Sequence, residues 1–428
     1  MATRLMARSS SPPDLVVRYE ARTVGTLTSD DARFGLTYDS RWLSAKDAFA
    51  VSASLPLRAE PYLDGAAHTF FANLLPEGGA REAVCRRLGI SLDNDQALLR
   101  AIGGECAGAL SVVEASSRPV DPESYAYEKL DRRRLHKLVA KDAVPLLLGG
   151  PPTRLSLAGA QDKLPVAVFD GTVYLPLEGA PSTHILKLPD ARFKHIPLNE
   201  AFVMGLAARI GMATAPTELF LGIDPPGLLV ERYDRRREPD GSHVTRLHQE
   251  DLCQALGLAS SSKYEQEGGP GISATLAFVS KHSAKPLDDI QRVIDWQAFN
   301  AVVGNCDGHG KNLSFLYTQR ELVVSPFYDL LSTRQYDGLD ANLAMSVGGR
   351  RNPAELHRLQ WEQLAKEARI GARLVLDRVG NVARRCIEEL PAWTGEYRER
   401  YGRRSVLETL PAWIKKNAQK TLRQLAKQ

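Results

Sequence analysis

A small group of polar residues lies between two apolar stretches in the segment 304–315, GNCDGHGKNLSF. Asp307 is a carboxylate that could accept the proton of an attacking hydroxyl group. The amide of Asn312 and the carboxylate of Asp329, in SPFYDLLS further along, could supply oxygen ligands to Mg²⁺. Lys311 would add positive charge beside a phosphate, and the neighbouring glycines would let the backbone turn sharply. These residue types indicate the transfer of a phosphoryl group.

The order of the predicted elements supports this interpretation. Apolar positions in 295–303 favour a core helix that ends at Gly304, and the segments 313–317 and 321–324 predict a hairpin after the polar group. Protein kinases divide the labour in the same way, with a base Asp, a metal-binding Asn shortly after it and a later metal-binding Asp. The alternative is an ordinary Asp-Gly turn in which His309 is a structural histidine.

An upstream half-site strengthens the first interpretation. The stretch 153–177, TRLSLAGAQDKLPVAVFDGTVYLPL, predicts a strand, a loop of small residues and two further strands around an Asp-Gly turn. Small residues let backbone N–H groups approach phosphates closely. Gly159 is the one glycine of that loop, so the loop is a weak motif by itself.

A lysine on a buried strand is the second part of this half-site. The segment 183–190, THILKLPD, predicts a short strand that carries Lys187. A buried ammonium group requires an anion, which could be a phosphate, a structural carboxylate or Glu200 near the start of the next helix. Glu200 could instead cap that helix. The strand 228–235, LLVERYDR, then predicts a hinge whose backbone could meet the edge of an adenine.

The rest of the chain must position these residues in two lobes. Strand-like runs are predicted at 15–19, 35–38 and 48–53, and helices at 249–256, 271–281 and 288–303. The segment 116–134 is polar enough for a boundary. We predict an α+β, bilobal fold in three parts: an accessory N-terminal subdomain at 1–115, a small lobe at 116–235 and a helical large lobe at 236–428. A cleft between such lobes is a common ligand site.

Composition narrows the class of protein. The 428 residues carry a net charge of +4, which is too small to indicate nucleic-acid binding by itself. The five cysteines are scattered without CxxC spacing, which argues against a disulfide framework or a structural zinc site. No apolar stretch is long enough to cross a bilayer, and none follows the N-terminal arginines, so we expect a cytoplasmic protein without a membrane segment.

The C-terminal segment is more basic than the rest. Residues 402–428 contain seven Lys or Arg and one Glu, with apolar residues near helical spacing. They predict a terminal amphipathic helix with a basic outer face. This face could simply be solvated, or it could contact phosphates or a partner.

Eight motifs considered together resemble those of a known family. In chain order they are SLAGAQDK, THILKLP, NEAF with LAARIGM, VERYDR, RLHQEDLCQALGL, SSKYEQEGGPG, NCDGHGKNLSF and SPFYDLLS. With FFANLLPEGGARE at 70–82, the chain resembles the HipA family of bacterial serine/threonine kinases, which are the toxin halves of type II toxin–antitoxin pairs. The resemblance implies a bilobal, protein-kinase-like α+β fold with a small β-rich N-terminal subdomain and a helical C-terminal lobe.

The resemblance also implies roles for individual residues, with ATP and Mg²⁺ as cofactors. Asp307 would be the general base, Asn312 and Asp329 the metal ligands, and Lys187 the residue that holds the α- and β-phosphates. Ser156 matches a serine that is autophosphorylated in this family. The loop over the triphosphate, the hinge and the remaining wall of the nucleotide site would come from a larger set: Ala158, Gly159, Ala160, Gln161, Asp162 and Lys163; Glu231, Arg232 and Tyr233; and His309, Gly310, Lys311 and Tyr328.

The sequence departs from ordinary protein kinases in three places. Asn305 and Cys306 stand where His-Arg would precede the catalytic Asp, and Tyr328-Asp329-Leu330 replaces Asp-Phe-Gly. The phosphate loop also lacks the GxGxxG pattern. These departures put standard kinase regulation in doubt, but not the transfer chemistry, which depends mainly on positioning and charge neutralisation.

Partners follow from the same resemblance. It implies a HipB-like helix-turn-helix antitoxin that contacts operator DNA, with the toxin as corepressor and as a dimer within a toxin–antitoxin heterotetramer. The protein substrate would be an aminoacyl-tRNA synthetase, whose phosphorylation stalls translation. Two alternatives stay open. One is a catalytically inactive, kinase-like regulatory module; the other is a metal-dependent phosphoesterase, which would need more ligands than Asp307 and His309.

Overall fold

Strands of the described part of the chain form four antiparallel sheets of four, six, two and three strands. The computed structural model describes residues 15–30, 33–131, 133–135, 163–177, 179–190, 192–193, 195–238, 243–318 and 321–426. The strand predicted at 153–157, with Ser156, and the loop 158–162 lie outside the described residues. The three-part division predicted from the sequence stays a prediction.

The N-terminal subdomain is built on the four-stranded sheet, whose strand order is β3-β2-β1-β4. Its elements are β1 (Leu15–Tyr19), β2 (Arg22–Asp30), β3 (Arg33–Tyr38), α1 (Ser40–Leu43), α2 (Ala66–Ala72), α3 (Gly78–Leu88), α4 (Asp95–Ile102) and β4 (Leu110–Glu114). Its core contains Trp42, Phe70 and Phe71, each at most 2% exposed. Burial of such aromatic side chains is the main favourable contribution to a small core of this kind.

The strand predicted at 48–53 is wrong. This stretch is a buried loop with one isolated bridge between Ser52 and Leu55. The hydroxyl of Tyr38 accepts a hydrogen bond from the Val51 N–H at 2.8 Å and donates to the Leu55 carbonyl at 2.6 Å. The apolar alternation therefore reflects burial, and a side chain satisfies backbone groups that a sheet partner would otherwise satisfy.

The small lobe is built on the six-stranded sheet, whose order is β5-β7-β6-β8-β10-β9. Its elements are β5 (Ala126–Lys129), β6 (Lys163–Phe169), β7 (Thr172–Leu177), β8 (His184–Lys187), α5 (Ile196–Arg209), β9 (Thr217–Phe220) and β10 (Gly227–Glu231). The predicted Asp-Gly hairpin between β6 and β7 is confirmed. Asp170 and Gly171 have φ values of 49° and 73°, as a type I′ turn requires.

The large lobe is mostly helical. Its elements are β11 (Arg235–Arg237), β12 (Val244–Arg246), β13 (Gln249–Asp251), α6 (Leu252–Ala255), α7 (Ile272–His282), α8 (Pro286–Val303), β14 (Ser314–Thr318), β15 (Glu321–Val324), α9 (Arg358–Glu367), α10 (Ala372–Tyr401) and α11 (Val406–Ala426). Short 3₁₀ turns include Ser260–Ser262, Glu265–Glu267 and Gly310–Asn312. The predicted hairpin after the polar group is confirmed as β14 and β15.

The helix predicted over 249–256 is only partly correct. Gln249 and Asp251 pair with Leu316 and Ser314 in the three-stranded sheet, so the first three residues are a strand. The helix begins after Asp251, whose carboxylate accepts from the Gln254 N–H while the Gln254 side chain accepts from the Asp251 N–H. This capping box fixes the helix start.

The terminal helix α11 packs its apolar face against the large lobe, as predicted. Leu410 and Ile414 are fully buried, while Lys415 and Lys416 are exposed. The side-chain amide of Asn417 donates to the carbonyls of Ala301 and Val302 at the end of α8. No helix among the described residues is long and apolar enough to cross a membrane.

A buried charge cluster joins the N-terminal subdomain to the hinge. Glu105 accepts from Arg235 at 2.9 Å and from Arg246 at 2.7 Å, and it lies 3.3 Å from Arg232. Asp234 completes the cluster with a 2.7 Å contact to Arg232. Burial alone would raise the pKa of Glu105, but the three guanidinium groups outweigh it and lower the pKa below its usual value.

We predict that Glu105→Ala destabilises the protein by about 3–5 kcal/mol, because it would leave three buried guanidinium groups with one carboxylate. Denaturant unfolding measures this loss. The matched control is Glu114→Ala, which removes a 3.7 Å contact to Arg100 from a side chain that is 38% exposed. That change is expected to cost at most about 1 kcal/mol. Equal losses in the two variants would contradict a structural role for the cluster.

Candidate active site

The ammonium group of Lys187 lies between two carboxylates from different parts of the fold. Its Nζ atom is 2.7 and 2.9 Å from the two carboxylate oxygens of Glu200 on α5. It is also 2.5 Å from Oδ1 of Asp329, in the loop after β15. Lys187 is 8% exposed and Glu200 is 1% exposed. Glu200 therefore pairs with the strand lysine, while His195 takes the N-cap position of α5.

Electrostatics favour the charged forms of Lys187 and Asp329. Burial alone would lower the pKa of Lys187, but Asp329 and Glu200 outweigh it and raise the pKa above its usual value. Burial would raise the pKa of Asp329, but Lys187 lowers it to about 2. Asp329 also has a φ of 59°, which is uncommon for a residue with a side chain and indicates that its contacts hold it in place.

Asn312 and Asp329 are in direct contact. The Asn312 amide nitrogen donates to Oδ2 of Asp329 at 2.7 Å. The amide oxygen of Asn312 accepts from the backbone N–H of His309 at 3.2 Å. A half-turn of the amide would present its oxygen beside the Asp329 carboxylate. In that orientation the two side chains would offer oxygen donors of the kind that suits Mg²⁺.

Asp307 is held at the end of α8 by a series of tight turns. Gly304 ends the helix with a φ of 69°, and the Asn305 N–H returns to the Asn300 carbonyl at 2.9 Å. The side-chain oxygen of Asn305 then accepts from the Asp307 N–H at 3.2 Å. Glycine is favoured at the helix end because this left-handed backbone strains other residues.

The Asp307 carboxylate accepts a hydrogen bond from the phenol of Tyr264 at 2.5 Å. Burial raises the pKa of Asp307 above its usual value, and the hydrogen bond from Tyr264 opposes this rise. Burial, and then the contact with the Asp307 carboxylate, raise the pKa of Tyr264 above its usual value. A carboxylate with a raised pKa is a better proton acceptor in the ionised state, as a general base requires.

One cavity of about 370 Å³ brings most of the predicted residues together. Its walls include the following predicted site residues: Lys163, Lys187, Glu231, Arg232, Tyr233, Asp307, His309, Lys311, Asn312, Tyr328 and Asp329. A second cavity of about 440 Å³ shares Asp307 and Tyr264 among its lining residues. The predicted residues Ser156, Ala158, Gly159, Ala160, Gln161 and Asp162 lie outside the described residues.

Three of the predicted site residues, Arg232, Gly310 and Lys311, have contacts that the sequence did not indicate, and Gly310 is not among the residues that line the cavity. The guanidinium of Arg232 belongs to the buried cluster with Glu105, and its backbone N–H donates to the Thr183 carbonyl at 2.9 Å. The Gly310 N–H donates to the Lys263 carbonyl at 3.0 Å. Lys311 points towards the N-terminal subdomain. Tyr233, by contrast, stacks on Tyr328 with ring centroids 5.7 Å apart and forms a flat apolar wall.

Sequence reasoning missed further residues of this cavity, among them Asn73, Glu77, Lys263 and Tyr264. Two quoted motifs, FFANLLPEGGARE and SSKYEQEGGPG, contain them, but the sequence assigned no role to either motif. The opposite charges of Glu77 and Lys263 are compatible with an ion pair, but nothing in the sequence around either residue indicates that the two motifs are in contact.

A strand lysine is paired with a helix glutamate and faces Asp307 and Asn312 on one loop and Asp329 on another, which is the arrangement of a protein-kinase-like fold. Sequence models agree: the HipA N-terminal domain matches residues 15–113, and the HipA-like C-terminal domain matches residues 155–393. The chain belongs to the HipA family of kinases. The predicted family and fold class are thereby confirmed.

Individual relatives cover most of the chain. The protein Y4mE of Sinorhizobium fredii is 43% identical over 373 residues, which is 86% of this chain and 89% of that protein. The serine/threonine-protein kinase toxin HipA of Shewanella oneidensis is 30% identical over 387 residues, 85% of each chain. The solved Shewanella oneidensis HipA, in a complex with HipB and operator DNA, superposes with a TM-score of 0.82 at 26% identity, covering 95% of this chain and 97% of that one.

Proposed function

We propose that this chain is an ATP- and Mg²⁺-dependent serine/threonine kinase and the toxin of a type II toxin–antitoxin pair. The observation that carries the proposal is the contact of one buried ammonium group, Lys187 Nζ, with both Glu200 and Asp329. In active protein kinases the corresponding lysine and glutamate must be paired before the metal-binding aspartate can act on the nucleotide.

The negative phosphates of a nucleoside triphosphate fit the positive charge of two lysines in the cavity. Lys163 on β6 is directly opposite Lys187 on β8 in the strand pairing. Burial and the positive charge of Lys187 lower the pKa of Lys163 to about 8. Like charges directly opposite each other on neighbouring strands repel, so phosphate oxygens between them would relieve this repulsion. The stacked Tyr233 and Tyr328 offer an apolar wall beside the hinge.

The proposed reaction uses Asp307 as its base. The hydroxyl oxygen of the acceptor forms a bond to the γ-phosphorus while the bond from that phosphorus to the bridging oxygen breaks, and ADP leaves. The hydroxyl proton passes to the carboxylate of Asp307. Asn312 and Asp329 would hold Mg²⁺, which neutralises phosphate charge when bound. Lys187 would orient the α- and β-phosphates.

Self-inactivation at Ser156 is part of the proposal. Phosphorylation would place roughly −1.5 to −2 charges beside the loop that covers the triphosphate. Such a group would repel the nucleotide and rearrange the loop 158–162, which would supply the remaining contacts to the phosphates. The kinase would then switch itself off after one turnover on its own chain.

The partners are proposed from the Shewanella oneidensis relative, whose solved structure is a complex with HipB and operator DNA. We propose a HipB-like helix-turn-helix antitoxin, with this chain as a dimeric toxin and corepressor in a heterotetramer. The exposed basic face of α11 is a candidate DNA contact. The protein substrate would be an aminoacyl-tRNA synthetase, and these partners would place the protein in the cytoplasm.

We predict that the purified protein, incubated with ATP and Mg²⁺, gains one phosphate at Ser156, as read by mass spectrometry of its peptides. Asp307→Ala should lower the transfer rate by about 10²–10⁴-fold, because the proton of the hydroxyl loses its acceptor. The control is Asp377→Ala, which removes an exposed carboxylate on α10. A folded wild-type protein that transfers no phosphate would instead support the inactive regulatory module.

We also predict that Tyr264→Phe moves the acidic limb of the pH–rate profile to higher pH. The phenol stabilises the ionised carboxylate, so its loss raises the pKa of Asp307. Because the base must be ionised, activity would then be lost at a higher pH as the pH falls. The control is Tyr174→Phe on β7, which does not line the cavity. A limb that moves to lower pH, or not at all, would contradict Asp307 as the base.

A further inference from the structure

A carboxylate from the N-terminal subdomain reaches into the active-site cavity and contacts two lysines of the large lobe. Glu77 Oε1 lies 2.7 Å from Nζ of Lys311, and its Oε2 lies 2.9 Å from Nζ of Lys263. Glu77 occupies the N-cap position of α3, yet its side chain makes no capping hydrogen bond there. Glutamate is not one of the side chains that usually cap a helix start, so its carboxylate is available for other contacts. Here it is directed at the two lysines.

The charges indicate that these contacts are strong. Burial alone would raise the pKa of Glu77, but Lys311 and Lys263 lower it to about 2. Lys311 is 9% exposed, and its amine also donates to the carbonyl and to the side-chain oxygen of Asn73, each at 3.0 Å. A buried ammonium group with these partners is fixed in position and has little freedom left to follow a phosphate.

Both lysines are adjacent in sequence to residues of the proposed reaction. Lys311 precedes Asn312, which contacts Asp329. Lys263 precedes Tyr264, which donates to Asp307. The Lys263 carbonyl also accepts from the Gly310 N–H at 3.0 Å, so the segment 260–269 and the loop 304–312, here called the catalytic loop, are joined at the backbone. Glu77 therefore contacts the residue before Tyr264, which bonds to the proposed base, and the residue before Asn312, a proposed metal ligand.

We propose that Glu77 is a positioning residue of the phosphotransfer site, so that the N-terminal subdomain completes that site. The inference rests on the proposed kinase function. Glu77 fixes Lys311 and Lys263, and these residues fix Asn312 and Tyr264. Lys311 serves as an anchor for the loop 304–312. Its charge is compensated by Glu77 and by Asp251, whose carboxylate is 3.8 Å away, and Asn73 accepts its hydrogen bonds.

The test is Glu77→Gln in the full-length chain, with the first-order rate constant for phosphorylation of Ser156 followed at a series of ATP concentrations, so that kcat is its maximal value and KM the ATP concentration that gives half of it. We expect kcat to fall by about tenfold or more, while KM for ATP changes by less than about threefold, because the contacts around Lys187 and Tyr233 remain. The matched control is Glu82→Gln, an exposed carboxylate on the same helix. Equal effects of the two variants, or a rise in KM without a fall in kcat, would overturn the proposal.

A double-mutant cycle separates positioning from a general loss of stability. In a Lys263→Met background, Glu77→Gln should lower kcat by clearly less than it does in the wild type, because one of its two targets is already absent. The side chain of Lys263 is 20% exposed, and thermal unfolding of Lys263→Met and Glu77→Gln followed by circular dichroism checks that each variant is folded before its kcat is compared. Additive effects in the cycle, or full kcat in Lys263→Met alone, would count against the proposal.

Hydrogen exchange tests the same inference without any activity. Glu77→Gln should accelerate exchange of the Gly310 amide, which bonds to the Lys263 carbonyl, relative to the wild type and to Glu82→Gln. If the wild type transfers no phosphate but Glu77→Gln still accelerates exchange of the Gly310 amide, the proposed kinase function is overturned and the role of Glu77 in holding the loop is supported. An active wild type with unchanged exchange and unchanged kcat in Glu77→Gln would overturn the anchor and keep the kinase function.

Discussion

Burial of the Lys187 ammonium group is the constraint on which the site depends. Burying an unpaired ammonium group would cost much free energy, and contacts with two carboxylates offset that cost. One of them is on the helix that follows the strand, and the other is in the large lobe. Because a single Nζ atom must reach both, the small-lobe sheet, α5 and the loop after β15 have fixed relative positions. The width of the cleft follows from this one contact.

The N-terminal subdomain uses the same physics at two further points. Glu105 binds arginines around the hinge, and Glu77 binds lysines around the catalytic loop. In both places a buried or half-buried carboxylate from the subdomain compensates cations that belong to another part of the fold. Removing one partner from such a group leaves uncompensated charge, so these contacts select one arrangement of the three units. The subdomain is thus joined to both edges of the cleft.

Local sequence patterns were sufficient for much of the fold and part of the site. The spacing of Asp307 and Asn312, the strand position of Lys187 and the Asp-Gly hairpin each depend on neighbouring residues, so they could be predicted. The strand at 48–53 was wrong, and the helix at 249–256 began too early, because burial and pairing with β14 are set by distant segments. Glu77 and Tyr264 were missed for the same reason: their partners are far away in sequence.

The phenol of Tyr264 has a consequence for the resting molecule. It donates to Oδ1 of Asp307, where a water molecule could otherwise donate, and both residues line both cavities. Water beside a bound triphosphate would therefore meet a carboxylate that already accepts one hydrogen bond. An acceptor side chain arriving through the second cavity would have to displace the phenol or share its place. The hydrogen bond from Tyr264 to Asp307 would thus limit unproductive hydrolysis of the nucleotide while no acceptor protein is bound.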